Sequence, residues 1–156
     1  MIRMKKLLFW LLALVSAAAM QACDDHDDDR HLLPHQLPQA VTEFIAQQYP
    51  GSRIIGGERE RNPLYVLEVD IVDGTVLREV RFDAADRWVQ TKTEILLSEV
   101  PPVVLDALRA SQYGTWRIDE VDHYASPARE WYRFELDDPV SGREAEVDML
   151  PDGTLI

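Results

Sequence analysis

The 156-residue chain has a single cysteine, Cys23, and only four histidines. One thiol excludes an intramolecular disulfide, and it excludes a zinc site built on several thiolates. Basic residues are scarce as well: 16 Lys+Arg stand against 28 Asp+Glu, for a formal net charge of −12. Such a surface repels phosphate backbones, so nucleic acid is not an expected partner. The motifs GxSxG, HExxH, GxxxxGK and GxGxxG are all missing. Nucleophilic hydrolysis needs an activating base, most often histidine. Three of the four histidines (His26, His31, His35) crowd the N-terminal stretch, leaving His123 alone in the remainder. Neither an enzymatic activity nor a cofactor is expected. The carboxylates are too numerous for any pair of them to be informative.

Long hydrophobic runs are also lacking, with one exception. Leu7–Val15 is apolar, follows Arg3, Lys5 and Lys6, and leads into the small residues between Ser16 and Ala22. This is the layout of a secretory signal over residues 1–22. A membrane span needs about 20 apolar residues, more than this run supplies. Met20-Gln21-Ala22-Cys23 resembles the bacterial lipobox, although Leu is usual where Met20 stands and Gln21 is an uncommon choice. The resemblance implies lipidation of Cys23, a periplasmic or cell-envelope location, and a lipid anchor as the sole membrane attachment; ordinary cleavage after Ala19 or Ala22, leaving a free thiol, is the alternative. Cleavage removes three basic residues and no acidic one, so the mature chain is still more acidic.

Residues 23–36 then read as an acidic tether. Asp24–His31 (DDHDDDRH) is a block of like charge that stays extended and solvated. His26, His31 and His35 among aspartates suggest a periplasmic metal site. Pro34 opposes the helix that would align His31 with His35, and a solvated leash is the default for such a composition. No metal site is therefore assigned.

With 46% hydrophobic residues, the remainder can form one core or two small fused ones. Tyr65, Leu67, Val69 and Ile71 alternate with Val66, Glu68, Asp70 and Val72, the period of a strand with two unlike faces. Asp73-Gly74 predicts a type I′ hairpin, and Val76, Val80 and Phe82 line the returning strand. Ahead of this hairpin, Pro38 opens a helix carrying Val41, Phe44 and Ile45 on one side. Arg53–Glu60 forms a strand with a bulge near Gly56-Gly57, and Trp88–Thr93 a fourth strand.

The pattern then restarts. Pro101-Pro102 opens a second helix with Val104, Leu105 and Leu108 as its stripe, and Arg117–Tyr124 is a strand. Tyr132, Phe134 and Leu136 alternate in the next strand, Ala145, Val147 and Met149 return, and Thr154–Ile156 ends the chain as a short strand. The two copies, residues 37–95 and 96–156, are offset by about 63 residues, an internal repeat. The predicted fold is α+β: two tandem helix-plus-antiparallel-sheet units of about four strands each, merging into one curved sheet with helices on one face.

The order Leu37-Pro38, helix, Tyr49-Pro50-Gly51, Tyr65-x-Leu67-x-Val69, Val80-x-Phe82, Asp86-x-Trp88 resembles the PepSY-like secreted proteins. Val100-Pro101, Tyr113-Gly114, Tyr132-x-Phe134-x-Leu136, Val147 and Asp152-Gly153 restate it. The fold of these proteins is similar to that of the β-lactamase inhibitor protein. Asp86 departs from the pattern, which has glycine there; Asp tolerates the left-handed conformation better than most residues. The resemblance implies an inhibitor-like module that binds a protein or peptide of the cell envelope through an exposed sheet face. A structural or sensory accessory of an envelope complex is the alternative.

Strand alternation nominates the residues of that face. If Tyr132, Phe134 and Leu136 point to the core, then Trp131, Arg133 and Glu135 point away. The matching outward set in the first copy contains Glu68, Asp70 and Arg81. A tryptophan flanked by charges suits an interface anchor.

Overall fold

A computed structural model describes residues 31–156. The signal over 1–22, the lipidation at Cys23, and His26 lie outside the described residues. The tether expected through residue 36 ends sooner. His31–Leu32 forms a strand, β1, paired with Glu58 and Gly57, and Pro34–Gln36 makes a 3₁₀ turn.

The chain continues as α1 (Gln39–Gln48), β2 (Arg53–Arg59), β3 (Leu67–Asp73), β4 (Val76–Phe82) and β5 (Trp88–Glu94). A second 3₁₀ turn, Leu97–Glu99, precedes α2 (Pro102–Ala110), β6 (Arg117–Ala125), β7 (Glu130–Asp137) and β8 (Glu144–Met149). All eight strands form one antiparallel sheet in sequence order, so the fold is α+β. The expected final strand is reduced to a single bridge between Met149 and Leu155. Residues 37–95 thus hold four strands, β1 adds a fifth from the stretch ahead of them, and three strands with that one bridge follow α2.

Both helices lack a side-chain N-cap and begin after a proline, Pro38 or Pro101. The 3₁₀ turn ahead of each is closed in the same way. The Leu33 N–H donates to Gln36 Oε1 and the Leu96 N–H donates to Glu99 Oε2, both at 2.8 Å. These side chains satisfy backbone donors that helical turns leave open at their start.

Register decides which face each strand residue occupies, because directly paired residues share a face. Val69 pairs with Val80, Val80 with Thr91, and Thr91 with Ala125. Against this face pack Leu37, Val41 and Ile45, which with Leu67, Val69, Ile71, Val80 and Phe82 form one apolar cluster. Val100, Val104 and Leu108 pack on Val121, Phe134, Leu136, Val147 and Met149 as a second cluster on the same face. Each fully buried aliphatic side chain stabilises by about 1.5–3 kcal/mol relative to exposure. Between the clusters runs a polar seam. Tyr49 Oη and Thr91 Oγ1 share a hydrogen bond, Trp88 Nε1 donates to the same Thr91 Oγ1, and Arg78 Nη1 donates to Thr93 Oγ1.

Two glycines are demanded by geometry. A Cβ on Gly57 would sit 2.8 Å from Leu37 Cδ2 and 3.1 Å from the Glu68 carbonyl oxygen, so only glycine lets the start of α1 approach β2. Gly74, at φ 65°, opens the β3–β4 turn. That turn is not the type I′ expected. Asp73 pairs with Val76, so the central residues are Gly74 and Thr75, and Thr75 has no positive φ. Glycine at the first central position followed by an ordinary residue is the type II′ arrangement, which equally suits the twist of a hairpin. The bulge in β2 falls between Ile54 and Gly56, just before the glycine pair.

Candidate functional site

The face opposite the helices is open. Register assembles it in rows that cross the sheet. One row runs Asp70, Glu79, Lys92, Tyr124 and Trp131. Beside it run Glu94, Asp122, Arg133 and Asp148, and then Glu120, Glu135 and Glu146. On the other side lie Glu58, Glu68, Arg81 and Gln90. The six residues nominated from strand alternation, Glu68, Asp70, Arg81, Trp131, Arg133 and Glu135, thus share one face of one sheet.

Their environments differ. Glu135 is exposed, whereas Trp131 is half-buried. The Trp131 ring lies flat on Tyr124, with centroids 4.9 Å apart and planes at 7°. The Arg129 guanidinium sits over Trp131 at 5.4 Å, and that of Arg133 over Tyr124 at 5.3 Å. Such cation–aromatic contacts favour a fixed, flat aromatic surface. Arg133 is further held by a two-pronged bond to Asp148, at 2.7 and 2.8 Å, and approaches Glu146 at 3.3 Å. Paired N–H donors matched to a carboxylate fix an arginine more firmly than a single contact.

Arg81 is similarly engaged. Its Nε donates to Glu68 at 2.8 Å, its Nη2 donates to Glu79 at 2.5 Å, and its guanidinium covers the Tyr65 ring. Between Arg81 and Arg133, Lys92 Nζ lies 3.2 Å from Asp122, 3.5 Å from Glu120 and 3.9 Å from Glu79. Burial works against the Lys92 charge, but Asp122 and Glu79 outweigh it and hold its pKa above the usual lysine value.

Asp122 is the unusual member. It is 2% exposed although no helix covers this face. Burial pushes its carboxyl up to about 6, the nearby charges of Glu120 and Glu79 push the same way, and Lys92 offsets part of the rise. Its Oδ1 and the Trp131 Nε1–H are both enclosed without a hydrogen-bond partner. Asp70 is also raised, by burial and then by Glu79 and Glu58. The pattern is one of carboxylates in excess. Every cation in the central rows already holds two or more acids, while Asp70, Glu94 and Glu135 have no ion-pair partner among the described residues. At the β7–β8 end of the face, a shallow hollow of about 400 Å³ is lined by Asp119, Glu135, Asp137, Glu144 and Glu146.

Tyr124, Lys92 and Asp122 escaped the sequence reading. A register shift between Ile118 and Glu120 breaks the alternation of β6. Beyond it, Glu120, Asp122 and Tyr124 form the open set, and a period-2 count from Val121 onward would have found them. Of the histidines weighed for metal, His31 is exposed in β1 with Nδ1 3.8 Å from Glu58, and His35 is exposed in the 3₁₀ turn. Among the described residues no group of three His, Cys, Asp or Glu side chains is placed to hold a metal ion, and no helix is long and apolar enough to cross a membrane.

Comparison with known proteins places this geometry. The family model described as "Putative beta-lactamase-inhibitor-like, PepSY-like" matches residues 28–71 and again 65–156. A BLIP-like protein of Bacteroides fragilis superposes with a TM-score of 0.64 at 26% identity, covering 77% of this chain and 84% of that one. A DUF2874 family protein of Bacteroides uniformis superposes with a TM-score of 0.66 at 23% identity, covering 77% and 86%. A Bacteroides eggerthii protein, named among "putative periplasmic proteins", reaches 0.65 at 21% identity, covering 76% and 85%. No curated protein matches the chain.

Proposed function

Since the chain belongs to the PepSY-like, beta-lactamase-inhibitor-like family, we propose that it is a non-enzymatic module of the cell envelope that binds a protein or peptide through its open sheet face. The observation that carries this reading is the Trp131–Tyr124 stack, held flat between two arginines on the face free of helices. Aromatic rings that are already ordered lose little entropy on binding, which suits them to anchor an interface. The salt bridges around them fix the side chains before any partner arrives, so the surface is preorganised.

The module is a tandem duplication in this reading. Leu33 and Leu96, Gln36 and Glu99, Pro38 and Pro101, Val41 and Val104, and Ile45 and Leu108 occupy matching places at one constant offset. The shared sheet curves with its open face inward. Such curvature would bring neighbouring rows together over Tyr124 and Asp122, which are nearly buried on a face that no helix covers. Lipidation at Cys23 tethers the module to the envelope, and the B. eggerthii relative's name agrees with a periplasmic setting.

The test is co-purification from solubilised envelopes with Glu135→Arg and Glu43→Arg as matched variants. Glu135 is exposed on the open face and Glu43 is exposed on α1. A specific partner is expected to survive Glu43→Arg and to be lost with Glu135→Arg. Loss with Glu43→Arg alone would move the working surface to the helices.

A further inference from the structure

The chemistry of the open face also selects its occupant, and this step rests on the sheet-face reading above. We infer that the occupant is a cationic protein segment, one that brings arginine or lysine side chains to the face. The face carries unbalanced negative charge. Arg81, Lys92 and Arg133 are each already committed to more than one carboxylate. The acids left over, Asp70, Glu94 and Glu135, have no ion-pair partner among the described residues, and the hollow beside Glu135 adds Glu144 to them. Like charges this close raise one another's energy, and an arriving cation relieves that cost.

Asp122 adds a demand of its own, independent of net charge. Asp122 is 2% exposed and its Oδ1 has no donor, although its other oxygen meets Lys92 on the open face. An enclosed acceptor without a donor is costly. A cation docked on the open face beside it offsets that cost through its field, without reaching the enclosed oxygen.

Other occupants fit poorly. A second copy would set one acidic face against another, and the run Asp24–Asp29 of this chain is itself acidic. Nucleic acid is repelled for the same reason.

The experiment titrates the mature protein with fluorescein-labelled octa-arginine and, separately, octa-glutamate, following anisotropy and the indole N–H resonances. Octa-arginine is expected to bind, to lose about ten-fold in affinity between about 20 and 200 mM NaCl, and to move the Trp131 indole resonance. Asp70→Asn/Glu135→Gln should weaken it by about five-fold or more, whereas Glu43→Gln/Asp106→Asn, an equal change of charge on the helices, should weaken it by less than about two-fold. Equal losses in the two double variants, binding of octa-glutamate, or no binding at all would overturn the inference. The function reading fails separately. If an envelope protein cross-links through the open face but its contact segment is neutral or acidic, the cationic occupant is wrong and the sheet-face module stands. If octa-arginine behaves as expected and no envelope protein ever engages this face, the preference of the face for cations stands and the envelope-module reading fails.

Discussion

Asp122 Oδ2 lies 3.2 Å from Lys92 Nζ across the β5–β6 joint, and the carboxylate is enclosed while the ammonium is not. This contact ties the part of the sheet before α2 to the part after it, since β5 and β6 pair only over Thr91–Glu94 and Asp122–Ala125. The open face is continuous because this joint carries both charge and, two residues on from Asp122, the Tyr124 ring.

The first prediction concerns that carboxyl. Its pKa in the folded protein, about 6, is raised above the ordinary aspartate value. The folded state therefore holds more protons than the unfolded state between about pH 4 and 6. This group's contribution thus favours folding increasingly as pH falls from 7 through that window. Carboxyl-carbon NMR should show a midpoint near 6 for Asp122, moving down in Glu79→Gln/Glu120→Gln because both neighbours push it up. A midpoint near 4 in the wild type would contradict the burial argument.

The second concerns Trp131. Truncation to alanine removes the stack on Tyr124 and the Arg129 contact, and uncovers part of an aromatic ring. A loss of about 1–3 kcal/mol is expected in urea unfolding, between the values for surface and core aromatics. A change near zero would mean that the stack is not held in solution.

The third compares the two cores. Phe82 and Phe134 are both fully buried, one in each apolar cluster. Either change to alanine should cost about 3–5 kcal/mol. Urea unfolding followed by tryptophan emission measures both. A cost under about 1 kcal/mol at either site would show that its cluster is not tightly packed.

The fourth concerns the β4–β5 turn. Asp86 has φ 57°, the one positive φ outside glycine among the described residues. Asp86→Gly should stabilise by up to about 1 kcal/mol, and Asp86→Val should destabilise by about 1–2 kcal/mol. Thermal unfolding reads both, and a stabilising valine would refute the left-handed assignment.

Much of this was legible in the residues. The alternation of Leu67, Val69 and Ile71 with Glu68 and Asp70 places each side chain on its face, and the same count places Trp131, Arg133 and Glu135. The helices were legible from Pro38 and Pro101 and the apolar stripes behind them. What was not legible has physical causes. The run of aspartates masked the pairing potential of His31–Leu32, which depends on a β2 edge far along the chain. The hairpin centre shifted by one residue because Asp73 could still pair with Val76 once Gly74 took the positive φ. The burial of Asp122 arises from Lys92 and the aromatic rows beside it, neighbours that only register brings together. Nothing in the local stretch Val121-Asp122-His123 announces it.

The claim on which the account depends is that the helix-free face is the working surface. A photo-crosslinking amino acid at position 135, compared with one at position 43, tests it in intact envelopes. The account predicts a single discrete adduct from position 135 and none from position 43. An adduct from position 43 with none from position 135 would contradict it.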